Sequence, residues 1–394
     1  MTTSCPPIRK IVGGFFIGVI LLAIILRVVW FNVESADYTL FLEPWYEKLK
    51  SDGGLGGLAT YEGDYPAPYV FLIALMTYIP VRPLYLIKIL SAMFDFVLAV
   101  GAILLVRELA KKTDKDEKMT LEFGVGLAVL LSPLVMLNSS VLGQCDSIYG
   151  AFSVFSLVYL LRNNYKKSFI LLGLALAFKL QAIFLLPLFG IIYLKNRKTK
   201  ERFPFYYFLI IPMMIVLASL PAILFGWSIS RIFTTYGYWT VEYANRPTSF
   251  YPNIYNLVPS GFMEKLGTGL IVGGGVVFTL VLLFCLLGFV LEKRVKLGKK
   301  EIFELALLVL AICVMFLPCM HERYMYVGEI LAIVYMITYK EKRVFCLGIL
   351  LAGVIGYFIV MMGGWGVELY PYISAIYFGT FIYGARGILR DIRD

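Results

Sequence analysis

The 394-residue sequence is poor in charge and almost without histidine. Charged residues make up 16% of it, against about 25% in soluble domains, and there is one histidine. A single histidine cannot build a His-rich zinc site, and the six cysteines include no CxxC pair. The sequence also lacks a P-loop, and its predicted outer loops contain no Asp-x-Asp pair. We therefore expect no disulfide framework, no resident cofactor and no required divalent metal.

Hydrophobic residues, in contrast, make up 60% of the chain. Apolar runs of about 17–25 residues recur from end to end, and each is long enough to cross a bilayer as a helix. The net charge of +10 is spread over short loops between these runs, as is typical of cytoplasmic connections and not of a nucleic-acid surface. The sequence predicts an all-α polytopic membrane protein, a single transmembrane domain over residues 1–394, surrounded by membrane lipids and without a nucleic-acid partner.

The positive-inside rule predicts the topology: both termini cytoplasmic and about twelve spans. The apolar segment Tyr69–Pro80 is too short to cross, so we expect an interfacial or re-entrant helix there. Residues 168–194 must hold two short spans and break at Lys179–Gln181. The other predicted spans are Ile11–Phe31, Leu84–Val106, Leu121–Leu137, Ser147–Leu161, Phe205–Phe225, Gly267–Leu291, Ile302–Pro318, Tyr324–Thr338, Val344–Met362 and Tyr370–Leu389.

Two long segments then lie outside the cytoplasm. Residues 32–83 form the first outer loop, with interfacial helices on either side of the flexible stretch SDGGLGGL. Residues 226–266 form the second, which is rich in aromatic residues and proline. The short loops and modest length favour a bacterial cytoplasmic membrane.

The unusual polar residues fall on this same outer side. Charges at membrane depth cost roughly 2.5–3.5 kcal/mol each, so they usually persist for function. Individually they have structural alternatives: a solvated acid, a turn residue or a helix cap. Asp95 and Glu329, inside predicted spans, are open to pairing with Lys88 or with polar neighbours. The outer candidates are Asp37, Asp64 and Tyr65, Gln144 and Asp146, Lys179 and Gln181, and the triplet His321, Glu322 and Arg323.

The order of these motifs resembles the GT-C superfamily of integral membrane glycosyltransferases. It is similar to the dolichyl-phosphate-glucose-dependent glucosyltransferases, while the GQxDS and HER spellings look more like bacterial relatives of GPI mannosyltransferases. The stretch DYPAP lacks the adjacent prolines of the eukaryotic enzymes, and FKLQ has an extra residue between its lysine and its glutamine. These departures leave the identity of the transferred sugar open. The matching features are Asp37, DYPAPY at Asp64–Tyr69, GQCDSIYG at Gly143–Gly150, FKLQ at Phe178–Gln181 and MHERY at Met320–Tyr324.

The resemblance implies a GT-C-like fold and an enzyme that moves a hexose, such as mannose or glucose, from a polyprenyl-phosphate sugar. The acceptor would be a glycan or a lipid-linked glycan at the outer face. The first-loop acid Asp37 would be the general base, because a carboxylate in reach of a hydroxyl can take its proton as the sugar C1–O bond breaks. Glu34 is the nearest alternative for this role.

The remaining candidates divide between the leaving phosphate and the sugars. A cation must stabilise the charge that develops on the polyprenyl phosphate, and Arg323, His321 and Lys179 are the candidates. Two other function classes stay open: a transporter or flippase of lipid-linked sugars, and a glycan polymerase or ligase. The residues expected to contact sugar or acceptor are Trp45, Asp64, Tyr65, Gln144, Asp146, Gln181 and Glu322.

Overall fold

The computed structural model describes residues 7–110, 114–242 and 247–393, and the regular structure of these residues is entirely helical. The all-α prediction is confirmed for this part of the chain. Residues 111–113 of a predicted cytoplasmic loop and 243–246 of the second outer segment lie outside the described residues.

Nine α-helices make up the first half of the described chain, and nine make up the second half. The first nine are α1 Pro7–Val29, α2 Glu43–Ser51, α3 Ala67–Met76, α4 Pro83–Leu109, α5 Lys115–Leu130, α6 Pro133–Met136, α7 Asp146–Leu161, α8 Tyr165–Phe178 and α9 Leu186–Asn196. The second nine are α10 Ile210–Ala218, α11 Leu220–Leu224, α12 Ile229–Glu242, α13 Ser260–Leu266, α14 Thr268–Leu291, α15 Lys299–Phe316, α16 Tyr326–Thr338, α17 Arg343–Met361 and α18 Tyr370–Arg393.

Three of the described helices, α4, α14 and α17, are long and apolar enough to cross a membrane. Helices α5 and α6, with the turn after them, form a fourth candidate that is bent by 42°. α14 leaves most of its apolar surface uncovered by the rest of the chain, as expected of a helix that faces lipid. These helices are those of a membrane protein, and the count of twelve spans stays a prediction.

The predicted break at Lys179–Gln181 is confirmed. α8 ends at Phe178, Lys179 takes an extended conformation with φ −157° and ψ 134°, and a 3₁₀ turn at Leu180–Leu185 leads into α9. This break brings the Lys179 side chain to the end of two short helices.

Two predictions of single helices are wrong, and proline is the physical reason in both. The segment Leu121–Leu137 is interrupted before Pro133, where α6 begins. The segment Phe205–Phe225 begins as a 3₁₀ turn and is interrupted again at Ser219, before Pro221. Proline lacks an N–H group and its ring clashes with the carbonyl four residues earlier, so a straight helix cannot pass through it.

Helix α4 connects two charged ends of the bundle. Lys88 lies near its start and Glu108 lies 20 residues later, near its end. At 1.5 Å per residue the two residues are roughly 30 Å apart along the helix, about the thickness of a bilayer core. Glu108 accepts hydrogen bonds from Arg162 and Lys299, both at 2.7 Å. The predicted cytoplasmic loops therefore meet one another at this end of α4.

A buried ion pair joins α1 to α4 inside the bundle. Arg27 Nε donates to Asp95 Oδ2 at 2.8 Å, and both side chains are almost completely buried. Ser139 donates to the same carboxylate oxygen at 2.6 Å. Of the two pairings left open for Asp95, the one with polar neighbours is found, through Ser139, and the one with Lys88 is not, because Lys88 donates to backbone carbonyls at the end of α1.

Candidate active site

Sequence-predicted polar residues line a cavity of about 520 Å³, called here the polar cavity. Its walls come from the segment after α1, from the turn before α3, from the loop before α7 and from the segment before α16. Sequence-distant motifs therefore meet in one place. The sequence-predicted residues that line it are Glu34, Asp37, Trp45, Asp64, Tyr65, Gln144, His321, Glu322 and Arg323.

Asp37 is held by a chain of hydrogen bonds in this cavity. Tyr65 donates from its hydroxyl to Gln144 Oε1 at 3.2 Å, and Gln144 Nε2 donates to Asp37 Oδ2 at 2.5 Å. Burial raises the pKa of the Tyr65 phenol well above its usual value, so this hydroxyl stays a donor. Arg323 Nη1 lies 3.4 Å from the same Asp37 oxygen. About a third of the Asp37 side chain remains exposed, so the carboxylate is oriented and accessible.

Local backbone structure presents Asp37 and Gln144 to each other. Ser35 Oγ accepts from the Tyr38 N–H at 3.2 Å and donates to the Leu142 carbonyl at 2.7 Å, which joins the two segments. Gly143 has φ +69°, a conformation that favours glycine, and this turn carries the chain from Leu142 to Gln144.

Glu34, the alternative base, has a different environment. It lines the polar cavity but forms an ion pair with Arg82, and both side chains are more than 40% exposed. On the opposite wall Glu322 is buried and accepts from Arg323 at 2.8 Å, while His321 Nδ1 lies 3.8 Å from Glu322. The acids that line the polar cavity therefore differ in burial and in the cation with which each one pairs.

A second cavity of about 220 Å³, called here the apolar cavity, lies beside the first. Tyr65 and Arg323 line both cavities, so these two side chains form the boundary between them. The apolar cavity extends between α12, α14 and the break after α8. Its other walls include Lys179, Gln181, Ile183, Phe184, Tyr236, Val272, Val276, Leu317 and Tyr324.

The two charged residues predicted near this break form a buried ion pair. Lys179 Nζ lies 2.5 Å from Asp146 Oδ1. Asp146 is fully buried, and its second oxygen accepts from Asn138 Nδ2 at 2.6 Å. Lys179 lines the apolar cavity, whereas Asp146 lies behind it and appears among the lining residues of neither cavity in the described structure. The geometry thus gives Asp146 a direct contact with Lys179.

An aromatic cluster packs the two segments predicted to lie outside the cytoplasm against each other. Trp45 lies 5.2 Å from Tyr65 and 6.0 Å from Tyr61 between ring centroids, and Tyr61 stacks on Trp227 at 6.0 Å. Trp227 Nε1 also donates to the Leu58 carbonyl at 2.7 Å. Tyr61 and Trp227 were not singled out from the sequence, although the scarcity of tryptophan, five in the chain, was an available signal.

Together these groups offer a carboxylate beside a polar opening and two cations beside an apolar one. Such an arrangement can accept a proton from a bound hydroxyl and can stabilise an anion bound nearby. Among the described residues, no three His, Cys, Asp or Glu side chains are placed to bind one metal ion.

Comparison with known proteins gives a family. No curated protein sequence matches the chain. The model of glycosyltransferase family 87 matches residues 64–318. The match starts at Asp64 of the polar cavity and includes Gln144 and Lys179, while Asp37 and the His321–Arg323 triplet lie outside it. Because the matched range covers more than half of the sequence, the chain belongs to glycosyltransferase family 87.

Proposed function

We propose that the chain transfers a hexose from a polyprenyl-phosphate sugar to a hydroxyl group of a glycan or lipid-linked acceptor, with Asp37 as general base. The reaction takes place at the extracytoplasmic face of a bacterial cytoplasmic membrane. Family membership supports glycosyl transfer as the reaction class. The observation that carries the rest is the meeting of a polar and an apolar cavity at Tyr65 and Arg323.

The apolar cavity suits the lipid part of the donor. Its walls are mainly aliphatic and aromatic, and a prenyl chain placed there would be removed from water at a gain of about 25 cal/mol per Å² of apolar surface. Lys179 and Arg323 also line this cavity, so a phosphate at the head of the chain would meet two cations. Gln181 adds an uncharged polar side chain to this lining, and in this assignment it contacts the first sugar or the phosphate.

The polar cavity suits the acceptor and the transferred sugar. Trp45 and Tyr65 offer ring faces, and Asp64 and Glu322 offer acceptors for sugar hydroxyls. His321 lies on the same wall, within reach of Glu322. In this assignment the sugar C1 atom lies at the boundary between the cavities, close to Arg323.

The bond changes follow from this placement. Asp37 takes the proton of the acceptor hydroxyl, and the resulting oxygen attacks C1 of the donor sugar. The C1–O bond to phosphate breaks, and the electron pair leaves with the polyprenyl phosphate. Arg323 and Lys179 stabilise the charge that develops on this leaving group. A single displacement of this kind inverts the anomeric carbon.

Asp37 is preferred to Glu34 on the basis of its contacts. Asp37 is held by an amide N–H from Gln144 and lies near Arg323 at the cavity boundary. Glu34 instead forms an ion pair with Arg82, a residue that lines neither cavity in the described structure.

The test is transfer of labelled hexose from a short-chain polyprenyl-phosphate donor, with mannose and glucose donors compared and with membrane extract of the native source as acceptor. Asp37→Asn should lower kcat by about 10²- to 10⁴-fold while donor binding persists. Asp52→Asn, a change of the same chemistry in the same outer segment, is the matched control and should keep wild-type activity.

Three outcomes contradict parts of the proposal. Loss of transfer in Glu34→Gln with activity retained in Asp37→Asn would assign the base to Glu34. Transfer of a long preassembled glycan instead of a single hexose would indicate a polymerase or ligase. Movement of a lipid-linked sugar across a liposome bilayer, with no new glycosidic bond from any donor, would indicate a flippase.

A further inference from the structure

Lys88 is a buried cation that neither cavity uses. It lies in the second turn of α4 and is fully buried. Its Nζ donates to the carbonyl of Trp30 at 3.0 Å and to that of Val33 at 2.5 Å. Both carbonyls lie just past the last residue of α1, at the end where the helix dipole is negative, and the Trp30 carbonyl also accepts from the Val33 N–H at 3.1 Å. Lys88 thus caps the end of the helix that leads to Asp37.

The stem of Lys88 also lies beside Gly143, in the loop that carries Gln144. A Cβ atom built on Gly143 would lie 3.8 Å from both Cε and Cγ of Lys88. One residue earlier, the Leu142 carbonyl accepts the hydrogen bond from Ser35. Lys88 and Ser35 therefore both lie where the segment that carries Asp37 meets the segment that carries Gln144.

We propose that Lys88 is a positioning residue that holds Asp37 at its hydrogen bond with Gln144. The inference rests on the proposed function, in which Asp37 is the base. Asp37 lies four residues after Val33, so a shift at the end of α1 moves the carboxylate directly. A misplacement of about 1 Å in a reacting group can cost about 10²-fold in rate.

We expect the loss of the Lys88 amine to lower kcat and to leave donor binding unchanged. Lys88 lines neither the polar nor the apolar cavity in the described structure, and its hydrogen bonds go to the segment that leads to Asp37. Lys88→Met keeps an unbranched stem, one atom shorter than that of lysine, and removes the donor. We expect kcat to fall about 10- to 100-fold and KM for the donor to stay unchanged.

A double-mutant cycle separates positioning from general damage. If Lys88 acts through Asp37, then Lys88→Met should lower activity in the wild-type background and have little further effect in the Asp37→Asn background. An equal fall in both backgrounds overturns the proposal, as does wild-type kcat in Lys88→Met. Lys50→Met, a lysine-to-methionine change at an exposed position on α2, is the control and should leave kcat and KM unchanged.

A second measurement keeps the proposal falsifiable if Lys88→Met folds poorly or if no transfer is observed. Ser35→Ala removes the other contact between the segments and should lower kcat in the same direction. Hydrogen exchange of the full chain in detergent should be faster at residues 30–38 in Lys88→Met than in the wild type. Unchanged exchange at residues 30–38 overturns the positioning role. If the wild type shows no transfer but exchange is still faster in Lys88→Met, only the proposed function is overturned.

Discussion

The ion pair between Lys179 and Asp146 allows the binding role of Lys179 to be separated from its structural role. Lys179→Met leaves the fully buried carboxylate of Asp146 with one donor, Asn138. Removing one partner of a buried pair costs about 3–5 kcal/mol, because the remaining charge is uncompensated. The double variant Asp146→Asn/Lys179→Met removes both charges and should regain most of the free energy of unfolding.

The kcat/KM for the donor should respond differently from the free energy of unfolding. If Lys179 contacts the donor phosphate, its loss removes a charge-assisted hydrogen bond of about 1.5–3 kcal/mol, which corresponds to a fall in kcat/KM of about 10- to 150-fold. The second change, at Asp146, cannot restore this contact. We therefore expect the double variant to be stable and still impaired.

The assay measures both quantities on the same preparations. Urea unfolding in detergent, followed by tryptophan fluorescence, reports stability, and labelled-hexose transfer reports kcat/KM for the donor. Recovery of both in the double variant would refute the reasoning, because Lys179 would then serve only to neutralise Asp146. A loss of less than about 1 kcal/mol in Lys179→Met would show that the pair is solvated and not buried.

Two further predictions concern packing around the site. Asp95→Leu should lower the free energy of unfolding in urea by about 3–5 kcal/mol, because it leaves the buried Arg27 without its carboxylate partner. The double variant Arg27→Met/Asp95→Leu should recover most of that loss. An Asp95→Leu variant as stable as the wild type would contradict the burial of this pair. Gly356→Ala would place a methyl group 2.9 Å from the Phe250 carbonyl and 3.2 Å from Glu322 Cβ. We expect a loss of about 1–3 kcal/mol and lower transfer, and unchanged thermal unfolding and activity would contradict the tight packing there.

Hydropathy was sufficient to predict the helical class, and motif order was sufficient to predict which polar residues lie together. Asp37, Gln144 and Arg323 are separated by more than a hundred residues each, yet they contact one another as the one-sided topology predicted. The break at Lys179 was also predictable, since the apolar stretch is too short for two unbroken spans. The glycosyltransferase class inferred from the motifs is confirmed by the family match.

Pairing inside the bundle could not be predicted, because it depends on which helix faces meet. On its own helix Asp95 has Ser91 about one turn away and Lys88 about two turns away, but its partner Arg27 comes from a different helix. Asp146 was assigned to sugar by its motif, whereas its nearest charged neighbour is Lys179. Glu329 is fully buried in α16, and its carboxylate has no hydrogen-bond partner among the described residues, an environment that no sequence pattern indicated.

The Arg27–Asp95 pair also constrains the order in which the protein can be assembled. In the predicted topology, Arg27 is synthesised 68 residues before Asp95 and reaches the membrane before its partner exists. An unpaired arginine costs about 2.5–3.5 kcal/mol at the centre of a membrane helix on insertion scales, and less near a helix end, where Arg27 lies. The first helix should therefore remain at the insertion machinery until α4 arrives, and the two should leave it as a pair.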